Sequence, residues 1–216
     1  MHIPAAFSVT DSERLHDFIR SHSFAILVSP GESSDSPPFA THLPLLLRMN
    51  TDGTARLDGH MAKGNAQWRL ADMQNVLAVF SGPHAHLSAG WYGEQNVVPT
   101  WNYVAVHVTG TLRIERDPDR LLKLLKETVS IYEAGAGTPW HMESLDPDFR
   151  QRMTDSITGF SIEVESIQGC WKLNQHHSAT RRAGAIAGLT ERAQGDDLEI
   201  AELMASELRA QLNHAK

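Results

Sequence analysis

The sequence has 216 residues, 41% of them apolar, which suits one domain with a full core, or one domain with a helical appendage, and excludes global disorder. A formal charge of −7 argues against a generally basic nucleic-acid surface, leaving Arg181 and Arg182, with Lys172 nearby, as the candidates for a local DNA contact. The single Cys170 forms no internal disulfide, no window approaches eighteen apolar residues, and Met1-His2-Ile3-Pro4 opens no signal peptide, so a cytoplasmic protein without a membrane span is expected.

Thr10 or Asp11 can cap a first helix, with Glu13 in its first turn and Leu15, Phe18 and Ile19 on one apolar face. The continuous apolar run Phe24 to Ser29 predicts a buried strand, and the Gly-, Ser- and Pro-rich run 30–38 a loop. Thr41 to Met49 reads as the next strand, where Pro44 predicts an edge, a bulge or an interruption. Asp52-Gly53 signals a tight hairpin, with Thr54 to His60 as the partner strand. Met61 to Arg69 breaks that pattern and reads as a short helical turn.

Val76 to Ser81 is strand again, followed by a long loop and then a strand from Val104 to Glu115. The loop holds Trp91, Tyr92, Trp101 and Tyr103, with Pro83 and Pro99 stiffening its ends. Such flat faces suit a planar ligand; equally, they could plug the mouth of a barrel. Asp117-Pro118 starts a helix that Gly135 to Pro139 ends, and Asp146-Pro147 opens another through Met153. Thr158 to Ile167 alternates as a strand, and the tail from Ala179 is helical, divided at Gly195 to Asp197. Six strands at hairpin spacing with helices inserted before the last give an α+β pattern. A six-stranded antiparallel β-barrel with peripheral helices is the economical architecture.

Lys63-Gly64-Asn65 offers a charge and close backbone approach, as a phosphate seat would, though Gly-Lys pairs also make plain turns. Twelve histidines include no HExxH and no cysteine cluster, so no metal site is assigned; His84, His86 and His107 read as hydrogen-bonding groups beside a pocket. Ser88 lacks a nucleophile elbow, and no catalytic residue is assigned. Cys170 reads as a small packing residue. Lys172 to Gln175 could reach a ligand from the barrel rim, or Asn174 or Ser178 could simply cap a helix.

Taken in order, Thr41-His42-Leu43-Pro44, Gly59-His60-Met61-Ala62-Lys63-Gly64-Asn65, Gly82-Pro83-His84-Ala85, Trp91-Tyr92 and Pro99-Thr100-Trp101-Asn102-Tyr103 resemble the PaiB family, whose members are described as FMN-binding negative transcriptional regulators. The resemblance extends to about Leu189. It implies a split β-barrel of the flavin-reductase and pyridoxamine-phosphate-oxidase type, a homodimer with FMN at the subunit interface. Lys63 would pair with the phosphate, Asn65 would complete the seat, and Thr41, His42 and His60 would lie close by. Trp91, Thr100, Trp101 and Asn102 would neighbour the isoalloxazine. Lys172 and Gln175 match the family's Lys-x-Ser-Gln-Asn, from which Asn174 and His176 depart.

The expected organisation is a domain over 1–189, with a helical insertion at about 117–155, and an amphipathic helical tail over 190–216. Three functions stay open: a regulator acting with or without direct DNA contact, a flavin-dependent oxidoreductase on a small molecule, or a haem-binding protein using the same pocket.

Overall fold

Period-two burial lays out the strands. In the computed structural model, which describes residues 1–135, 137 and 140–214 (His214 by its backbone alone), these are β1 (Ser8–Val9), β2 (Phe24–Ser29), β3 (Phe39–Met49), β4 (Ala55–Ala62), β5 (Asn75–Leu87), β6 (Thr100–Ile114) and β7 (Ile157–Lys172). They run in the order β1-β7-β4-β3-β2-β5-β6, and β6 also pairs with β7, which closes the six long strands into an antiparallel barrel. Closure leaves no long edge exposed. Six helices accompany it among the described residues: α1 (Ser12–Ser21), α2 (Gln67–Ala71), α3 (Pro118–Glu133), α4 (Pro147–Asp155), α5 (Ala179–Arg192) and α6 (Asp197–His214). None is long and apolar enough to cross a membrane.

Several boundaries differ from those expected of the sequence. Pro44 makes β3 neither an edge nor broken: β3 pairs with β2 over Phe39–Pro44 and with β4 over Leu45–Met49. The proline stands where pairing passes from one neighbour to the other, so its missing N–H costs the ladder little. Strand β5 continues six residues past Ser81. Burial falls on Val76, Ala78 and Phe80, then resumes on Pro83, Ala85 and Leu87, a one-residue change of phase at Ser81-Gly82 that interrupts the simple alternation. Met61 and Ala62 complete β4 before the chain turns into α2.

Local capping follows the side chains available. Asp11 Oδ1 accepts from the N–H groups of Glu13 and Arg14, Asp117 caps α3, Asp146 caps α4 and Ser178 caps α5. Asn174 therefore caps nothing; it occupies the left-handed region at φ 61°. Helix α3 ends at Glu133; of the stop expected over 135–139, Ala136, Thr138 and Pro139 lie outside the described residues, as do Ala215 and Lys216 of the expected tail.

The chain divides into two compact units. The first comprises Met1–Leu15, Ser81–Val106 and Gln168–Lys216, and the second His16–Phe80 with His107–Ile167. The first has its core at Leu87, Val104, Leu173, Leu189, Ile200 and Met204, with a buried Arg182 held by Gln211 and the Met204 carbonyl. In the second, Leu27, Leu45, Leu57, Phe80 and Ile162 are fully buried, and Gly59 is required for packing: a Cβ there would stand 2.7 Å from both Leu45 and Phe160.

Candidate functional site

The sequence-expected residues fall into two groups, one in each unit. Thr41, His42, His60, Lys63 and Asn65 belong to the second, and Trp91, Thr100, Trp101, Asn102, Lys172 and Gln175 to the first.

In the second unit the chain leaves β4 in a turn held at every step. The Lys63 N–H donates to the Ser156 carbonyl at 2.8 Å, and the Lys63 carbonyl accepts from Trp68 Nε1 at 3.0 Å. Asn65 reaches Thr41 Oγ1 through Nδ2 at 2.9 Å and accepts from the Gln67 N–H at the same distance. Gln67 is completely buried. Its Nε2 lies 3.1 Å from the Leu27 carbonyl and from Ser29 Oγ, and 3.2 Å from the Phe39 carbonyl. The backbone of the turn is thus immobilised, while the Lys63 ammonium is exposed and pairs with no described residue. An unpaired cation on a fixed turn is a receptor for anionic oxygens.

Neighbouring positions are placed differently. His42 follows Thr41 on β3, so its ring leaves the opposite face and lies 6.3 Å from that of Phe24. His60 lines an apolar cavity of about 370 Å³ under α3 and α4, together with Leu125, Thr128, Tyr132, Met142 and Ile157 among others. Burial there pushes the His60 imidazole below its ordinary value of 6.5.

In the first unit, Lys172 Nζ donates to Thr100 Oγ1 at 2.8 Å. Both belong to the wall of a cavity of about 610 Å³ that also includes Phe7, Tyr92, Val98, Asn174, His177 and Arg181. Gln175 spends both ends of its amide on backbone, accepting from the Leu173 N–H and donating to the Trp171 carbonyl, and so closes the turn after β7. Asn102 is fully buried, with Nδ2 at 3.3 Å from Met204 Sδ. Trp91 packs against Gly184 and Gly188 of α5, under the guanidinium of Arg192 at 4.9 Å. Trp101 is 54% exposed, flanked by the rings of His84 and His86 at 5.9 and 5.7 Å.

Residues beyond the sequence-expected set complete the cavity. Arg181 donates to Glu94 at 2.7 Å and lies 3.1 Å from His177 Nδ1; its Cζ sits 5.9 Å from the Tyr92 ring. Asn174, 1% exposed, donates to the Tyr92 hydroxyl at 3.0 Å. Two wall atoms, Asn174 Oδ1 and Arg181 Nε, are buried without a partner, a cost of about 1–3 kcal/mol for each such group. Desolvation first, then the neighbouring His176 and Arg181, lower the His177 pKa, so its ring is neutral at physiological pH. The sequence signal was the cluster of Lys172, His176, His177 and Arg181, which reads equally as a basic patch. Of the two arginines considered for a DNA contact, Arg182 is 1% exposed and Arg181 is bound to Glu94. Among the described residues, no three His, Cys, Asp or Glu gather as metal ligands do.

Residues 1–166 match the family model described as "Putative FMN-binding domain". Over 213 residues the chain is 36% identical to the "Protease synthase and sporulation protein PAI 2" of Bacillus subtilis, spanning 98% of this chain and 100% of that protein. The chain belongs to the PaiB family. Solved structures share the barrel fold. The flavocytochrome Anf3 of Azotobacter vinelandii superposes with a TM-score of 0.60 at 13% identity, over 79% of this chain and 72% of its own. An FAD- and haem-binding protein of Mycobacterium smegmatis gives 0.58, also at 13%, over 82% and 79%. At such identities the likeness is one of fold.

Proposed function

We propose that this PaiB-family protein binds FMN as a homodimer and acts as a negative transcriptional regulator without direct DNA contact, the Lys63 ammonium serving as charge partner of the FMN phosphate. The observation that carries the FMN reading is the pinned turn itself. Two backbone bonds, Lys63 N–H to the Ser156 carbonyl and Asn65 N–H to the Ala62 carbonyl, hold it together with the Trp68 indole and the Asn65–Thr41 bond, while its one cation pairs with no described residue. The residues present fit the group's anionic end: an exposed ammonium, paired with no described residue, on an immobilised turn. When bound, FMN supplies an isoalloxazine that accepts and returns electrons. Lys63 holds the anionic end, Asn65 and Thr41 keep the turn in place, and the partner copy covers the ring.

Regulation without DNA contact is supported by the charge of −7 and by the engagement of Arg181 and Arg182 inside the fold. A flavin-dependent oxidoreductase is the second reading, favoured by two imidazoles beside the Trp101 face that could position a substrate or move a proton.

Titration with FMN, followed in the visible spectrum, tests the site. Lys63→Ala should weaken binding by about 1.5–3 kcal/mol, roughly 10- to 150-fold, the range for a charged hydrogen bond. An unchanged dissociation constant would move the phosphate elsewhere. Light scattering should give twice the chain mass. Rapid reduction of bound FMN by NADH or NADPH would favour the oxidoreductase, and inert FMN the regulator.

A further inference from the structure

We propose that the cavity walled by Tyr92, Val98, Thr100, Lys172, Asn174 and Arg181 is a second ligand site, and that it takes a small aromatic carboxylate. It shares no residue with the Lys63 turn and does not depend on FMN being bound there.

Its volume, about 610 Å³, falls in the range of small-molecule sites. Its charge favours an anion. Lys172 and Arg181 are both cationic, and among the described residues Glu94 is the one acid paired with either and Thr100 Oγ1, a hydroxyl, the one partner of the Lys172 ammonium. Glu94 and His177 engage one N–H on each Arg181 Nη, which leaves Nε–H, bonded to nothing, and the Lys172 ammonium as donors to a carboxylate. Glu94 nearby adds a penalty for a dianion.

The walls favour a flat molecule. Tyr92 and His177 present rings 5.8 Å apart at 48°, and Phe7 and Val98 add apolar surface. Asn174 supplies a further polar determinant. Its amide is buried in a left-handed backbone position, one end is tied to Tyr92 and the other has no partner. Asn174 Oδ1 and Arg181 Nε are shielded where they stand, so each must turn slightly into the cavity to bond. A ligand carrying an acid at one end and an O–H or N–H at the other relieves both.

The test is calorimetric titration of the full-length protein with 4-hydroxybenzoate, with and without saturating FMN. One molecule should bind per chain in both conditions. Removing the acid, in 4-hydroxybenzyl alcohol, should weaken binding at least tenfold, and so should Lys172→Met at an unchanged unfolding temperature. Val98→Trp, which fills the mouth from an exposed position and leaves every charge in place, should also weaken it at least tenfold. Absence of binding overturns the proposal. So does equal affinity for the acid and the alcohol, insensitivity to both substitutions, or loss of binding once FMN is present, which would make the cavity part of the flavin site.

Discussion

The indole of Trp91 lies in a notch that exists because residue 188 of α5 is glycine: a Cβ there would stand 2.5 Å from Trp91 Cγ and Cε2. The side chain that the sequence suggests as a cofactor neighbour therefore also fastens the loop after β5 to α5. Gly188→Ala forces a rigid ring out of place. Overpacking costs about 1–3 kcal/mol, offset by about 1 kcal/mol from replacing a helical glycine. A net loss of up to about 2 kcal/mol should appear in urea unfolding; a midpoint above that of the unaltered protein would mean that the indole has room to shift.

Gln67 is the hub of the second unit. One buried amide nitrogen serves acceptors on β2 and β3, which fixes the start of α2 and hence the Lys63 turn. Gln67→Leu keeps the volume and orphans those acceptors. A loss of roughly 2–4 kcal/mol is expected from leaving more than one buried group unpaired. FMN affinity should fall with it. Retention of both stability and affinity would show that the turn does not need this anchor.

Asp197 stands at the start of α6 with its side chain 3% exposed, accepting from Arg192 Nε at 2.7 Å, Arg192 Nη2 at 2.6 Å and the Gln194 N–H at 3.0 Å. Removing the acid leaves a partly buried guanidinium without its counter-charge, so Asp197→Ala should cost about 3–5 kcal/mol. The Arg192 hydrogen bonds hold the carboxyl below its ordinary value of 3.8. Its contribution is therefore complete above that value and is lost as pH falls through the lowered one. Thermal unfolding of the variant at neutral pH, where the pair is fully formed, is the measurement. A melting temperature close to that of the unaltered protein would contradict it.

Acid should destabilise the protein earlier, through histidine. His60 is pushed below its ordinary 6.5 by burial, so the unfolded chain takes up its proton first and stability falls as pH drops below about 6.5. Glu133 and Arg150 line the same cavity and are the charged groups to consider there. His107 and His177 are lowered in the same direction, so some acid sensitivity belongs to them. His60→Leu, which suits the apolar surroundings, should reduce the loss of stability between pH 7 and pH 5 in urea titrations. An undiminished slope would assign the effect entirely to the others.

How much of this was legible in the sequence differs from residue to residue. Six strands and their order along the chain followed from apolar runs, alternation and hairpin spacing, and so did the barrel; the two-residue β1 carries too short a pattern to be read. Asp117-Pro118 and Asp146-Pro147 marked helix starts that the structure places where they were read. Pro44 misled, because a residue's cost in a strand depends on which neighbour needs its N–H, and that is a matter of pairing. The end of β5 misled because a change of phase at Ser81-Gly82 hides a strand from a periodicity test.

The amino-acid sequence by itself determined the kinds of element, their caps and the motifs that mark the PaiB family, because each depends on residues close together along the chain. Only the tertiary structure decided that Asn65 meets Thr41, that His60 lines an apolar cavity, and that Lys172, Asn174 and Arg181 wall one space with Tyr92. Such meetings depend on strand pairing and helix packing between segments far apart in the chain, and no local preference encodes the distance across which two side chains will face each other.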